Sequence, residues 1–172
     1  MAREASQSLI NMKAWILNKP APVNEHPLYL SERAVPTPSD DELLLRVAAC
    51  GICRTDLHVV EGDLPVRRSP VIPGHQIVGS VAALGSRVEG FDIGDRVGVA
   101  WLNRTCGKCE FCVAGRENLC DEAMFTGWTV DGGYADYAVA PAAFTIVYQM
   151  ASRTCRQRHF SAPASSVTGA YV

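Results

Sequence analysis

The chain has 172 residues and a formal charge of −2, with no long basic run that would serve as an electrostatic footprint for nucleic acid. No apolar run reaches the length of a secretory core or a membrane span, so a cytoplasmic protein with neither nucleic-acid nor membrane partners is expected. In that reducing setting seven cysteines point away from structural disulfides and toward metal binding or catalysis. The length suits one compact domain and is short for a two-domain enzyme.

Residues 1–11 lack periodicity and read as a mobile extension. From Met12 onward the chain reads as short β segments broken by proline and glycine: "KAWIL", "ELLLRVAAC", "QIVGSVAAL", "DRVGVAW" and "YADYAVA". Between them "KPAPVNEHP" and "VPTPSDDE" are turn-rich connectors, and "EGDLPVRRSPVIPGH" is a long loop with three prolines. The expected fold class is mainly β, as a barrel. No Gly-x-Gly-x-x-Gly follows a strand, so the usual phosphate cradle of a dinucleotide domain is missing from the sequence.

Two constellations carry chemistry. "TCGKCEFCVAGRENLC" places Cys106, Cys109, Cys112 and Cys120 at gaps of two, two and seven residues. Ferredoxin-type iron–sulfur runs are spaced differently and often carry proline after the last cysteine, where this chain has Asp121. Zinc takes a closed tetrahedron of four thiolates, and Gly107 lets the backbone fold round an ion. Zinc is therefore the favoured reading, with ordinary buried or redox-active thiols as the alternative. A closed four-sulfur site has no open position for substrate. The second constellation is "CGICRTDLH" with "PGHQIVG". Open catalytic zinc sites draw mixed cysteine and histidine ligands from separate loops. Taken singly, Cys50 and Cys53 read equally well as small core residues, and His75 as a satisfied loop histidine.

From about residue 12 to 144 these motifs resemble the zinc-dependent medium-chain alcohol dehydrogenases: "CRTDLH", "GHQIVGSVAALGSRV", "GDRVGVAW", the four-cysteine lobe and "DGGYADY" follow in that family's order and spacing. The resemblance implies a GroES-like β-barrel catalytic domain over 12–144, with a structural zinc lobe at 105–121, normally followed by a Rossmann domain that binds NAD. It implies that Cys53 and His75 are catalytic zinc ligands and that Cys50 is not one. It further implies that Cys106, Cys109, Cys112 and Cys120 hold structural zinc. Asp56 would orient His75, and Thr55 and His58 would relay a proton. Arg54 would contact the cofactor pyrophosphate, and Trp101 would line a pocket for a small primary alcohol or aldehyde. Gln76 stands where the family usually has glutamate, an amide that keeps the hydrogen bonding behind the zinc and loses the charge. Intact members of the family oligomerise. The expected function is NAD-dependent oxidation of a small alcohol in the intact enzyme. A zinc-stabilised interaction module without activity, and a zinc-free quinone-reductase relative, are the alternatives; the first has no use for a second, open metal site.

The text from 145 to 172 departs from the resemblance. Cys155 falls too early, among the wrong neighbours, to be the third catalytic ligand. Read one base out of frame, with free choice of wobble bases, residues 145–171 permit "YRLPDGFADVPAAPLLCAGIIGYRCL". That string looks like the family continuation, with a cysteine at the junction of Ser161 and Ala162 where the third ligand belongs. The tail is thus expected to be a frameshift product, disordered and protease-sensitive, in a chain inactive by itself. The gene's nucleotide sequence checks this: wobble bases incompatible with the shifted string would overturn it.

Overall fold

The structure, a computed structural model, describes residues 11–148. Its centre is a five-stranded antiparallel sheet in the order β8-β3-β4-β5-β9, built from β3 (Glu42–Gly51), β4 (Gln76–Leu84), β5 (Arg96–Val99), β8 (Tyr137–Pro141) and β9 (Thr145–Val147). Alternation in β4 sends Ile77, Gly79 and Val81 to the buried face, where they meet Leu43, Leu45, Val97, Val99, Ala138 and Ala140. Register irregularities at Leu44/Leu45 and Val47/Ala49 break the ladder between β3 and β4, the usual device for curling a sheet toward a barrel. At Gly79 a Cβ would run into the Arg46 carbonyl, so only glycine lets β4 lie this close.

A two-stranded ribbon, β1 (Asn11–Leu17) with β2 (Leu28–Ala34), packs Met12, Ala14, Ile16 and Ile72 into a second cluster. The ribbon is tied to the rest of the fold by Trp15 N–H to the Tyr134 carbonyl and by mutual bonds between Leu17 and Val71. A shorter ribbon, β6 (Leu102–Arg104) with β7 (Met124–Phe125), brackets the cysteine lobe. One eight-residue helix, α1 (Arg54–Glu61), follows β3.

The five strands read from the sequence are all present. Two boundaries differ: Asn11 is already the first residue of β1, and residues 145–148, expected in the tail, bond to the edge of β5 through β9 and through Tyr148 N–H to the Arg96 carbonyl. The cause is local, since Thr145, Ile146 and Val147 are β-branched and meet an unpaired strand edge. The remainder of the expected extension and tail, Cys155 included, lies outside the described residues.

The loops that matter for chemistry are clamped to one another. Gly132 N–H donates to the Ile72 carbonyl, Gly133 N–H to that of Gly74 and Tyr134 N–H to that of Pro73, which locks "DGGY" onto "PGH". A Cβ on Gly132 would collide with the Gly74 carbonyl oxygen and stand 2.7 Å from that of Pro73. Gly132→Ala is therefore expected to cost about 1–3 kcal/mol, read as a lowered midpoint of thermal unfolding, because both obstacles are backbone.

Candidate metal centres

In the lobe, α2 (Glu110–Val113) and a 3-10 turn at Glu117–Leu119 bring four sulfurs together. The Sγ atoms of Cys106, Cys109, Cys112 and Cys120 all lie within 4.8 Å of one another. Cys109 and Cys112 are 3.4 Å apart, and Cys106 and Cys112 3.9 Å. A tetrahedral zinc with bonds of about 2.3 Å has sulfur–sulfur edges of about 3.8 Å, so the spacing fits the ion. Backbone N–H groups aim at the sulfurs: Cys109 N lies 3.4 Å from Cys106 Sγ, and Cys106 N lies 3.5 Å from Cys120 Sγ. Hydrogen bonds from the Lys108 and Cys109 backbone pull the Cys106 thiol down to about 7, while burial and the neighbouring sulfurs push the Cys109 thiol up to about 11 and the Cys120 thiol up as well. Gly107 has a φ of 71°, the left-handed turn that the first Cys-x-x-Cys step needs.

The second group sits where α1 begins. Cys53 caps the helix: its sulfur accepts from Thr55 N–H at 3.3 Å, while Asp56 Oδ2 accepts from Cys53 N–H at 2.8 Å, a reciprocal capping box with cysteine in the place usually held by serine or threonine. The other Asp56 oxygen, Oδ1, lies 3.1 Å from His75 Nδ1, and His75 Nε2 faces Cys53 Sγ at 3.4 Å. Bonds of about 2.0 Å to nitrogen and about 2.3 Å to sulfur give an edge of about 3.5 Å in a zinc tetrahedron, so this pair also fits. Asp56 and His75 are both buried. Burial alone would raise the Asp56 carboxyl, but the bonds from the His75 ring and the Cys53 N–H outweigh it and hold the carboxyl below its ordinary value. Both Asp56 oxygens are thus engaged, one on the helix cap and one on the histidine.

Gly74, at a φ of 93°, lets His75 enter this corner; a Cβ there would meet the Tyr134 ring at 2.5 Å and Cys50 Sγ at 2.8 Å. Cys50 is a packing residue whose thiol burial pushes up to about 11. Trp101 meets the His75 ring edge-on, with centroids 5.0 Å apart, and is stacked on Phe125 and Trp128.

Residues 39–151 match the alcohol dehydrogenase GroES-like domain family, more than half of the chain. The chain belongs to that family. Among relatives, the "Probable alcohol dehydrogenase AdhA" of Mycobacterium tuberculosis (strain CDC 1551 / Oshkosh) is 54% identical over 138 residues, covering 77% of this chain and 40% of that protein. An "Alcohol dehydrogenase" of Geobacillus stearothermophilus is 44% identical over 129 residues, covering 73% of this chain and 38% of its own length. The solved structure of a cobalt- and zinc-bound thermostable alcohol dehydrogenase from Pyrobaculum aerophilum superposes with a TM-score of 0.73 at 33% identity, covering 80% of this chain and 41% of that one. The chain thus spans about two fifths of the length of the relatives it matches.

In this GroES-like alcohol dehydrogenase domain the remaining expected site residues lie along α1. Arg54, its first residue, is exposed; Thr55 is half-buried; and His58 lies one turn further on, with Nδ1 2.7 Å from Asp63 Oδ2. The Gln76 side chain is exposed and lies over Gly51 on the neighbouring strand. The cause is strand alternation, which turns residue 76 to the face opposite Ile77. Three residues escaped the sequence reading. Trp128 stacks against Trp101 and donates its indole N–H to the Pro65 carbonyl at 2.9 Å. Asp63 pairs with His58. Tyr134 has a buried hydroxyl without a hydrogen-bond partner among the described residues, and burial, Asp56 and Cys50 together push its pKa up. Only Tyr134 lay in a motif already singled out, "DGGYADY". No helix among the described residues is long and apolar enough to cross a membrane.

Proposed function

We propose that this chain is the catalytic domain of a zinc-dependent alcohol dehydrogenase, which in the whole enzyme oxidises a small primary alcohol to an aldehyde with NAD in the cytoplasm. The observation that carries the reading is the Cys53 Sγ to His75 Nε2 approach of 3.4 Å, with the Asp56 carboxylate behind the histidine and the Trp101 ring beside it. An interaction module that used zinc only for stability would not need this second pair.

Cys53 and His75 would hold the catalytic zinc, which acts when bound as a Lewis acid toward the alcohol oxygen. The Cys53 sulfur sits at the helix N-terminus and accepts from the Thr55 N–H, which aims it toward the metal position. Asp56 keeps the hydrogen on Nδ1 of His75 and so leaves Nε2 with its lone pair toward the metal position. The Thr55 hydroxyl would take the proton of the alcohol, and His58, near solvent, would pass it on. Trp101, backed by Trp128 and Phe125, would wall the pocket with flat, rigid rings that leave room for short chains. Arg54, exposed at the first helical position, would meet the pyrophosphate of NAD. The four lobe cysteines would hold a second zinc with no open position.

Cobalt in place of zinc gives the test. With the lobe filled by zinc and cobalt added, short primary alcohols and aldehydes are expected to shift the visible ligand-field bands. Asp56→Ala should weaken that response, and Cys53→Ser should abolish it. Bands that ignore alcohols, or that persist in Cys53→Ser, would contradict the reading.

A further inference from the structure

We propose that Asp63 is a positioning residue that fixes the ring of His58, so that Nε2 is the atom through which this histidine takes up a proton. The inference rests on the role given to His58 above. Its structural basis is separate.

His58 Nδ1 and Asp63 Oδ2 are 2.7 Å apart, within the range of a charge-assisted hydrogen bond. The contact is built into the backbone. The His58 carbonyl accepts from two N–H groups, those of Gly62 at 3.1 Å and Leu64 at 3.2 Å, which pins residue 63 against the last turn of the helix. Gly62 makes this turn at a φ of 87°, and a Cβ there would stand 2.9 Å from the Pro20 side chain, so the path of the loop is narrowly set. Among the described residues Asp63 makes no other hydrogen bond, whereas the neighbouring Glu61 is engaged with Val23 N–H at 3.2 Å. The helical positions do the rest: Thr55 is three residues before His58 on the same face, and Arg54 is four before it.

A carboxylate only accepts hydrogen bonds, so a neutral imidazole facing it must carry its hydrogen on Nδ1. The lone pair is then on Nε2. This is the less common tautomer of a free histidine side chain, which prefers Nε2–H and would present no acceptor there. When Nε2 takes a proton, the ring becomes a cation that Asp63 stabilises at Nδ1, against the unfavourable charge of Arg54 one turn away. The same proton leaves from Nε2 to water, since the His58 side chain is 36% exposed. No bond other than N–H is made or broken.

The test is nitrogen-15 NMR of the histidine ring in the full 172-residue chain, without added metal or cofactor, above the pH at which the ring is protonated. His58 is assigned by the signal lost in His58→Gln. The expected result is a pyrrole-type shift at Nδ1 and a pyridine-type shift at Nε2. Asp63→Ala, and independently Asp63→Ser, should move the tautomer ratio toward Nε2–H by about threefold, the size expected of a half-exposed charged pair. Because Asp63 is exposed, the thermal midpoint should hardly change. A dominant Nε2–H tautomer in the unaltered chain, or ratios unchanged in both variants, would overturn the proposal. The readout depends only on the Asp63 contact, whereas the cobalt experiment depends only on the Cys53 and His75 pair, so failure of one is distinguishable from failure of the other.

Discussion

Replacing Cys112 with serine is expected to abolish tight zinc binding by the lobe and to unfold residues 105–121 while the barrel stays folded. The reason is how little else holds the lobe. From Thr105 to Asp121 the only buried side chain is Cys120; Val113 and Leu119 point outward, and the local structure amounts to a four-residue helix and a three-residue turn. A segment of that size without a core cannot offset its own chain entropy. Closed thiolate sites supply apparent binding energies of about 10–16 kcal/mol, and in them binding is folding. The barrel has its own core in Leu43, Leu45, Ile77, Val81 and Val97 and does not depend on the ion. Amide hydrogen exchange should therefore show loss of protection confined to the lobe, in Cys112→Ser and in the chelated chain alike. Protection that survives chelation would mean that the lobe is held by something other than metal.

Asp56→Asn is expected to weaken metal binding at the Cys53 and His75 pair by about 10- to 100-fold, although the side chain keeps its size. The Cys53 N–H fixes an acceptor oxygen at one end of residue 56, so an amide there turns its NH2 toward His75 Nδ1. That donor forces the histidine hydrogen onto Nε2, the atom that faces Cys53 Sγ, and a protonated nitrogen is no ligand. Cobalt titration of the two chains measures the loss. Acid offers a second readout. Because the folded chain holds the Asp56 carboxyl below its ordinary value, the carboxylate contributes stability above the unfolded value of about 4, and that contribution is lost as the pH falls through the lower, folded value. The stability difference between the unaltered chain and Asp56→Asn should shrink below about pH 4, as measured by urea unfolding.

Much of the fold was legible because burial writes itself into strands. Leu43 to Leu45 and the alternation through Ile77, Gly79 and Val81 mark β3 and β4 in the sequence as clearly as in the structure. β2 was not legible: "LYLSERA" has almost no buried side chain, so no pattern identifies its face. Nor was α1, an eight-residue helix whose cap is a cysteine and whose buried set includes an aspartate. The four lobe cysteines are close in sequence and so could be grouped by spacing. Asp56 and His75 are 19 residues apart, and their juxtaposition came from resemblance to a family. The contacts of Asp63 and Trp128 depend on loop paths that no periodicity encodes.

Zinc titration of the 172-residue chain by native mass spectrometry, alongside Cys112→Ser, Cys53→Ser and His75→Ala, tests the two-site account most directly. One tight zinc is expected, indifferent to Cys53→Ser and His75→Ala and absent from Cys112→Ser. A second, weaker zinc should persist in Cys112→Ser and disappear from both of the other variants. A single zinc lost in Cys53→Ser but retained in Cys112→Ser, or a second zinc that ignores His75→Ala, would contradict it.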